Sequence, residues 1–163
     1  MSDAASPTDQ RRKLRFTSVD DVIAEAERLA GAEREGRLKQ LGNWTLGQII
    51  NHLATWAEFA YCGYPPSVRA PLPVRMILRM LRNKILTQGM TPGINIRGIP
   101  GGTLGTERVP TEQALPRLRA ALETLRQTCP AGPNPVFGKM SHDQWIALNL
   151  RHAELHFGYL VPT

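Results

Sequence analysis

Residues 141–159 of the chain read SHDQWIALNLRHAELHFGY and carry a strong helix signal. Ser141 and Gln144 have the spacing of a capping box, in which each side chain binds the backbone N–H of the other residue. One face of the following helix combines aromatic and polar residues at spacings of four, three, four and three: Trp145, Asn149, His152, His156 and Tyr159. We therefore predict a final helix that reaches Tyr159 and presents both histidines on one face.

A second informative stretch is GNWTLGQIINHLATWAEFA, residues 42–60. Thr45 and Gln48 again have capping-box spacing, and a helix that ends at Gly63 follows. His52 lies beside the apolar stripe of this helix. Trp56 comes one turn later, so we expect it in the core, where it could form a wall beside His52.

Three further helices are predicted from apolar periodicity and from residues that start and stop helices. They span residues 18–33, with Ser18 as the cap, residues 71–88, and residues 111–127, with Thr111 as the cap. Pro116 is expected to delay the start of the helix at 111–127 by one turn.

Residues 91–110 are rich in glycine and proline, and we predict a long surface loop there with a short extended piece at 94–99. Loops of this length are usually functional or disordered, and a flexible lid or rim is the expected role. No run of alternating β-branched residues stands out anywhere in the chain. The sequence therefore predicts an all-α fold.

Length and composition favour one folded domain over residues 1–163. The chain has 163 residues and 42% hydrophobic residues, enough for a sizeable core, and residues 1–15 are expected to be flexible or loosely packed. Cys62 and Cys129 are too few for a disulfide framework and are expected to be reduced thiols. The polar start has no apolar signal segment, so we expect a cytoplasmic location.

The formal net charge of +6 is compatible with nucleic acid, with an anionic membrane or simply with solubility. Within 71–88, Arg75, Arg79 and Arg82 share one helical face, which we expect to be solvated, and apolar residues occupy the other face. Aromatic residues make up only 6% of the chain and do not interleave with these arginines, so nucleic-acid binding is not favoured. No apolar stretch is long enough to span a membrane. Because bundles with an additional amphipathic helix often pair, a homodimer is expected.

The histidines allow two interpretations from the residues alone. Two imidazoles four residues apart on one helix can reach a single ion, and His52 on another apolar stripe would supply a third ligand. Alternatively, each histidine is a core residue that is hydrogen-bonded to backbone. Other donors do not join them: Glu154 is rotated away from His152, and Cys62 and His142 each lie about 15 Å along a helix from the nearest of the three histidines.

The segments GNWTLGQIINHL (42–53) and HAELHFGYL (152–160) closely resemble the two diagnostic segments of the DinB-like superfamily, although Tyr159 stands where a glutamine is usual. The resemblance extends over essentially the whole chain. It implies a four-helix bundle of the up-down-down-up type with an additional short or amphipathic helix. It also implies that His52, His152 and His156 bind a divalent zinc, nickel or iron ion, with water in the remaining positions.

Three protein ligands with an open position are typical of a catalytic metal site. The resemblance implies a thiol-dependent transferase or a metal-assisted hydrolase, in which a small-molecule thiol or water attacks an electrophile admitted beneath the loop at 91–110. Asn149, Tyr159 and Trp56 are candidate contacts to the ligands or to substrate. The alternative is a non-catalytic bundle that binds a small ligand or a second copy, with structural or empty histidines.

Overall fold

A computed structural model describes residues 10–68, 70–96 and 99–163. Within these ranges the chain is mainly helical, as predicted. The α-helices are α1 (Val19–Arg34), α2 (Leu46–Cys62), α3 (Leu72–Gln88), α4 (Thr111–Gln127) and α5 (His142–Phe157), and the strands are β1 (Leu38–Gln40) and β2 (Leu160–Pro162). Part of the extended piece expected at 94–99, and the first nine residues of the chain, lie outside the described residues; the described part of 94–99 contains no strand.

Side chains cap three of the helices as local sequence predicts. Thr45 and Gln48 form the capping box of α2, and Ser141 and Gln144 form that of α5. Ser18 caps α1 and completes a third box with Asp21. Because a cap determines where a helix begins, it also determines the direction in which each later side chain projects. The directions of His52 and His152 from their helices are therefore set locally.

The start of α4 and the end of α5 differ from the prediction. Helix α4 begins at Thr111 after Pro110 and continues through Pro116, so the expected delay is wrong. Pro116 removes one backbone donor, but it lies on the exposed side of the helix, where the Glu112 carbonyl that it leaves unpaired can face water. Thr111 does not cap the helix; its hydroxyl donates to Glu33 at 2.5 Å. Helix α5 ends at Phe157, two residues before the predicted end.

A two-stranded antiparallel sheet was not predicted. Strand β1 pairs with β2, with Lys39 opposite Val161. Each strand has three residues, which is too short for a period-two pattern to be recognised. The sheet ties the end of the chain to the segment that leads into α2, and a further hydrogen bond joins Leu41 N to the Tyr159 carbonyl at 2.9 Å.

The core lies between α1, α2, α4 and α5, with α2 packed most extensively against α4. Helix α2 contributes nine consecutive buried residues, Leu46 to Ala54. Gly47 allows α2 to lie close to the backbone that leads into α4, because a Cβ atom at Gly47 would lie 1.9 Å from the Val109 carbonyl oxygen. The main body therefore surrounds the first half of α2 on all sides.

Helix α3 packs beside α5 and contributes only Leu86 to the buried residues. The expectation that its arginines form a solvated face is wrong for two of the three. Arg75 and Arg82 are half-buried, and Arg82 donates to the carbonyls of Phe137 and Lys139. The face of α3 that is turned to solvent instead carries Leu72, Val74, Met76, Ile77, Met80 and Leu81. In the described parts of the chain, no helix is long and apolar enough to cross a membrane.

Two residues of the segment before α1, Arg12 and Phe16, contact α5 and the residues that follow it. Arg12 donates to the carbonyls of Phe157 and Leu160 and pairs with Glu25 at 2.6 Å. A buried ion pair joins Arg151 and Glu154 at 2.7 Å. The same two side chains bind the backbone of Phe16, since Glu154 accepts from its N–H and Arg151 donates to its carbonyl. These contacts attach Arg12 and Phe16 to the end of the protein that carries α5, and the looseness of residues 1–15 as a whole stays a prediction.

Removal of the charge on Glu154 is expected to destabilise the protein strongly. Glu154→Gln leaves the buried Arg151 guanidinium without its counter-ion, which should lower the free energy of unfolding by about 3 kcal/mol. Glu123→Gln is the matched control, because Glu123 and Arg126 form a more exposed i, i+3 pair worth less than about 1 kcal/mol. Urea unfolding followed by circular dichroism measures both, and equal effects would contradict a special role for the buried pair.

Candidate metal centre

The three predicted histidines come together between α2 and α5. One ring nitrogen of each of His52, His152 and His156 lies within 4.8 Å of the others. The Nε2 atoms of His52 and His152 are 3.0 Å apart. Two nitrogens that bind one zinc ion at tetrahedral angles are roughly 3.3 Å apart, so this pair already has nearly the spacing of two ligands.

A backbone carbonyl sets the orientation and tautomer of His52. Its Nδ1 lies 2.6 Å from the carbonyl oxygen of Leu104, and because a carbonyl can only accept, Nδ1 must carry the proton. The Nε2 atom therefore has a free lone pair that points toward His152. An Nδ1–H bonded to a backbone carbonyl is a common arrangement for a histidine that binds a metal through Nε2.

The loop that supplies this carbonyl is held in place by polar residues of α2. Gln48 donates to the Thr106 carbonyl at 2.9 Å, and Asn51 donates to the Gly105 carbonyl at 3.1 Å. Arg117 on α4 in turn donates to the Asn51 side-chain oxygen. Gly105 has a φ of +75°, and a Cβ atom there would lie 2.8 Å from the Thr55 side chain. The position of the Leu104 carbonyl therefore depends on several contacts around it.

Two tryptophans flank the imidazoles. The Trp44 ring stacks on His156, with ring centroids 5.3 Å apart and an angle of 11° between the planes. Trp56 makes edge contacts with His52 and His152 at 6.0 Å and 6.2 Å. His52 is almost fully buried, whereas His152 and His156 are only half-buried. The cluster thus has an aromatic, apolar lining, and two of its three histidines are in part exposed.

The surroundings favour uncharged imidazoles. Burial lowers the pKa of His52 to about 4 and that of His156 to about 3. Burial also holds the pKa of His152 well below its ordinary value, and the neighbouring His156 and His52 act in the same direction. At neutral pH the three side chains are therefore neutral, which is the form that donates a lone pair.

The other candidate contacts have different places. Trp56 lies against the histidines, as described. Asn149 is buried, but its amide donates to the Trp145 carbonyl one turn earlier in α5. Tyr159 lies beyond the end of α5, with the Arg11 guanidinium 5.5 Å above its ring. Contacts of Asn149 or Tyr159 with a bound ligand stay predictions.

The residues that sequence analysis excluded as ligands are engaged or located elsewhere. Glu154 is paired with Arg151, and Cys62 is exposed at the end of α2. His142 is half-buried, and its Nε2 lies 2.6 Å from the Leu125 carbonyl in the last turn of α4. It therefore links the start of α5 to the last turn of α4.

Comparison with known proteins gives one family. A profile described as protein of unknown function DUF1569 matches residues 8–163. The chain belongs to the DUF1569 family. No curated protein and no solved structure matches the chain. For this DUF1569 protein, the chemistry of the three-histidine cluster has to be argued from its own geometry.

Two parts of the centre were not found from the sequence of the DUF1569 protein. Trp44 was not predicted as part of the centre, because it precedes the Thr45 cap of α2 and no helical spacing relates it to His52. Nothing in the sequence indicated the Leu104 carbonyl, because every residue type has the same backbone carbonyl.

Substitution of Gly105 should disturb the orientation of His52. The Cβ atom of Gly105→Ala would push against Thr55 and move the Leu104 carbonyl, so we expect the single Nδ1–H tautomer of His52 to become a mixture. Gly101→Ala is the control, since Gly101 has the same positive φ but nothing within 4 Å of an added Cβ. Long-range proton–nitrogen NMR of the histidine rings reports the tautomer. An unchanged His52 in Gly105→Ala would contradict this account.

Proposed function

We propose that the protein binds one divalent metal ion through His52, His152 and His156. The observation that carries this proposal is the 3.0 Å approach of two Nε2 atoms, one of which has a bare lone pair because of the Leu104 carbonyl. Three neutral imidazoles suit zinc, nickel or ferrous iron, and geometry alone does not select among them.

The proposal includes membership of the DinB-like superfamily and a single domain over residues 1–163. In that assignment, α1, α2, α4 and α5 form the four-helix bundle and α3 is the additional helix. It is supported by the two histidine-bearing segments, which lie on α2 and α5, and by a core that is shared among these four helices. The small β1–β2 sheet would then close the end of the bundle.

A catalytic role is the form of metal binding that the exposure of the site favours. Three protein ligands leave coordination positions open, and His152 and His156 are in part exposed, whereas His52 is almost fully buried. When bound, a divalent ion would lower the pKa of a thiol or water and so supply the nucleophile of a thiol-dependent transferase or a hydrolase. Trp44 and Trp56 would exclude bulk water from one side, and the loop that carries Leu104 would border the space for an electrophilic substrate.

A non-catalytic bundle is the second candidate, and the same 3.0 Å contact gives it support. If His152 carries its proton on Nε2, it can donate to the free Nε2 of His52, and the cluster is then a hydrogen-bonded pair beside a stacked third ring. The two interpretations differ in whether an ion is held.

Metal content distinguishes the two candidates. Protein purified without a metal-affinity tag, then titrated with zinc, nickel or ferrous iron, should bind close to one equivalent. His152→Ala should weaken binding by about a hundredfold or more, because it removes one of three ligands. His142→Ala is the control, since His142 is also half-buried but lies outside the cluster. Elemental analysis and calorimetric titration give the readout, and wild-type protein that binds none of these ions would disprove the proposal.

The thiol-dependent reaction predicts a metal-dependent thiol site. Calorimetry of the zinc-loaded protein should detect binding of a low-molecular-weight thiol, and the metal-free protein should show at least about tenfold weaker binding, because sulfur binds the ion as a thiolate. The S-methylated analogue of the thiol is the matched control, since it cannot form a thiolate. Equal binding of the two compounds would remove the thiol from the proposal and leave water as the nucleophile.

A further inference from the structure

We infer that the exposed face of α3 docks on an anionic phospholipid surface. This inference is independent of the metal site. It starts from the arrangement of α3: Arg75 and Arg82 are turned toward the body of the protein beside Leu78, Ile85 and Leu86, while six other apolar side chains are turned to solvent. A helix normally does the reverse when water covers its outer side. Some apolar or interfacial environment therefore fits this face better than water does.

The apolar face is continuous over the first three turns of α3. Met80 is 84% exposed and Met76 is 59% exposed, and Leu72 and Ile77 lie beside them on the same outer side. At 100° per residue these four side chains fall within an arc of about 140°. Long, unbranched or flexible apolar side chains on the outer side of a helix suit insertion among lipid chains at the level of the headgroups.

The charge of the chain is concentrated in the same segment. Residues 59–106 contain six lysines and arginines and no aspartate or glutamate, so this segment has a formal charge of +6. The remainder has 14 basic and 14 acidic residues, because the whole chain has 20 and 14. All of the net charge therefore lies in the segment that contains α3. Arg79 and Lys84 are exposed, at one edge and at the C-terminal end of the apolar face.

A basic cleft adjoins this face and could receive a lipid phosphate. The cleft measures about 380 Å³ and is lined by Arg79, Arg82 and Lys139, together with Phe137 and Gly138. A Cβ atom on Gly138 would approach the Arg79 side chain to 3.1 Å, so glycine lets this arginine lie close to the backbone. Cations that border an apolar face, with no acidic residue among the cleft residues, match the arrangement of headgroup and acyl chain in an anionic lipid.

Charge argues against a second copy as the occupant. In a two-fold dimer through α3, the exposed Arg79 and Lys84 would meet the same cations of the other copy, with no carboxylate from α3 between them. An anionic lipid surface provides the opposite charge and the apolar layer at once. The apolar outer face also gives nucleic acid nothing to hydrogen-bond or stack on.

Vesicle co-sedimentation with the full chain tests the inference. Wild-type protein should bind vesicles of roughly three parts phosphatidylcholine to one part phosphatidylglycerol at least about tenfold more tightly than vesicles of phosphatidylcholine alone. Met80→Glu should reduce binding to the anionic vesicles by about tenfold or more, because it puts a repelled charge at the most exposed apolar position. Ala120→Glu is the matched control: it adds the same charge at an exposed position of α4 and should leave binding within about twofold. Arg79→Gln, which leaves the apolar residues intact, should weaken binding severalfold.

Far-UV circular dichroism and sedimentation equilibrium accompany the binding assay. Unchanged helicity of Met80→Glu would show that lost binding comes from the changed apolar face of α3 and not from unfolding. If Met80→Glu unfolds, Arg79→Gln provides an independent test. Absence of wild-type binding, or equal losses in Met80→Glu and Ala120→Glu, would overturn the inference. A wild-type dimer that Met80→Glu converts to monomer would also overturn it and would identify a second copy as the occupant.

Discussion

Complete burial of the first half of α2 is the constraint from which the arrangement of the centre follows. A helix that is surrounded on all sides cannot turn its polar residues to water, so Gln48, Asn51 and His52 must find hydrogen-bond partners inside the protein. The loop at 104–107 provides them, since successive carbonyls accept from the three side chains. An irregular segment is suited to this task because its carbonyls are not used in a helix of its own.

The same constraint explains why the histidine cluster has a defined geometry. Because the Leu104 carbonyl holds Nδ1 of His52, the other nitrogen has only one direction in which to point, and that direction leads to α5. The stacked Trp44 and the edge of Trp56 then limit the rotation of the rings. The cluster is therefore organised from the buried side, while His152 and His156 keep contact with solvent. This asymmetry is what a site needs if it is to hold an ion and still admit a ligand.

Helix α3 shows how a correct periodicity can lead to a wrong placement. The sequence separates arginines from apolar residues cleanly, and the usual rule assigns the arginines to solvent. Here the carbonyls of Phe137 and Lys139 offer acceptors to Arg82, and six apolar side chains of α3 are left exposed. An amphipathic pattern shows that two faces of a helix differ in polarity. Which of the two faces is covered depends on the hydrogen-bond acceptors that the rest of the fold provides.

The local parts of this structure could be predicted from sequence, because the forces that create them act within a few residues. The capping boxes of α2 and α5 located those helices, and the helical repeat put His152 and His156 on one face. The approach of His52 to His152 across 100 residues, the Leu104 carbonyl and the three-residue strands depend on contacts between distant segments. Sequence by itself determined which side chains could meet on a helix face. Only the tertiary structure decided which faces meet and which backbone groups orient them. Any residue type can supply a backbone carbonyl, and contacts between distant segments leave no pattern among neighbouring residues.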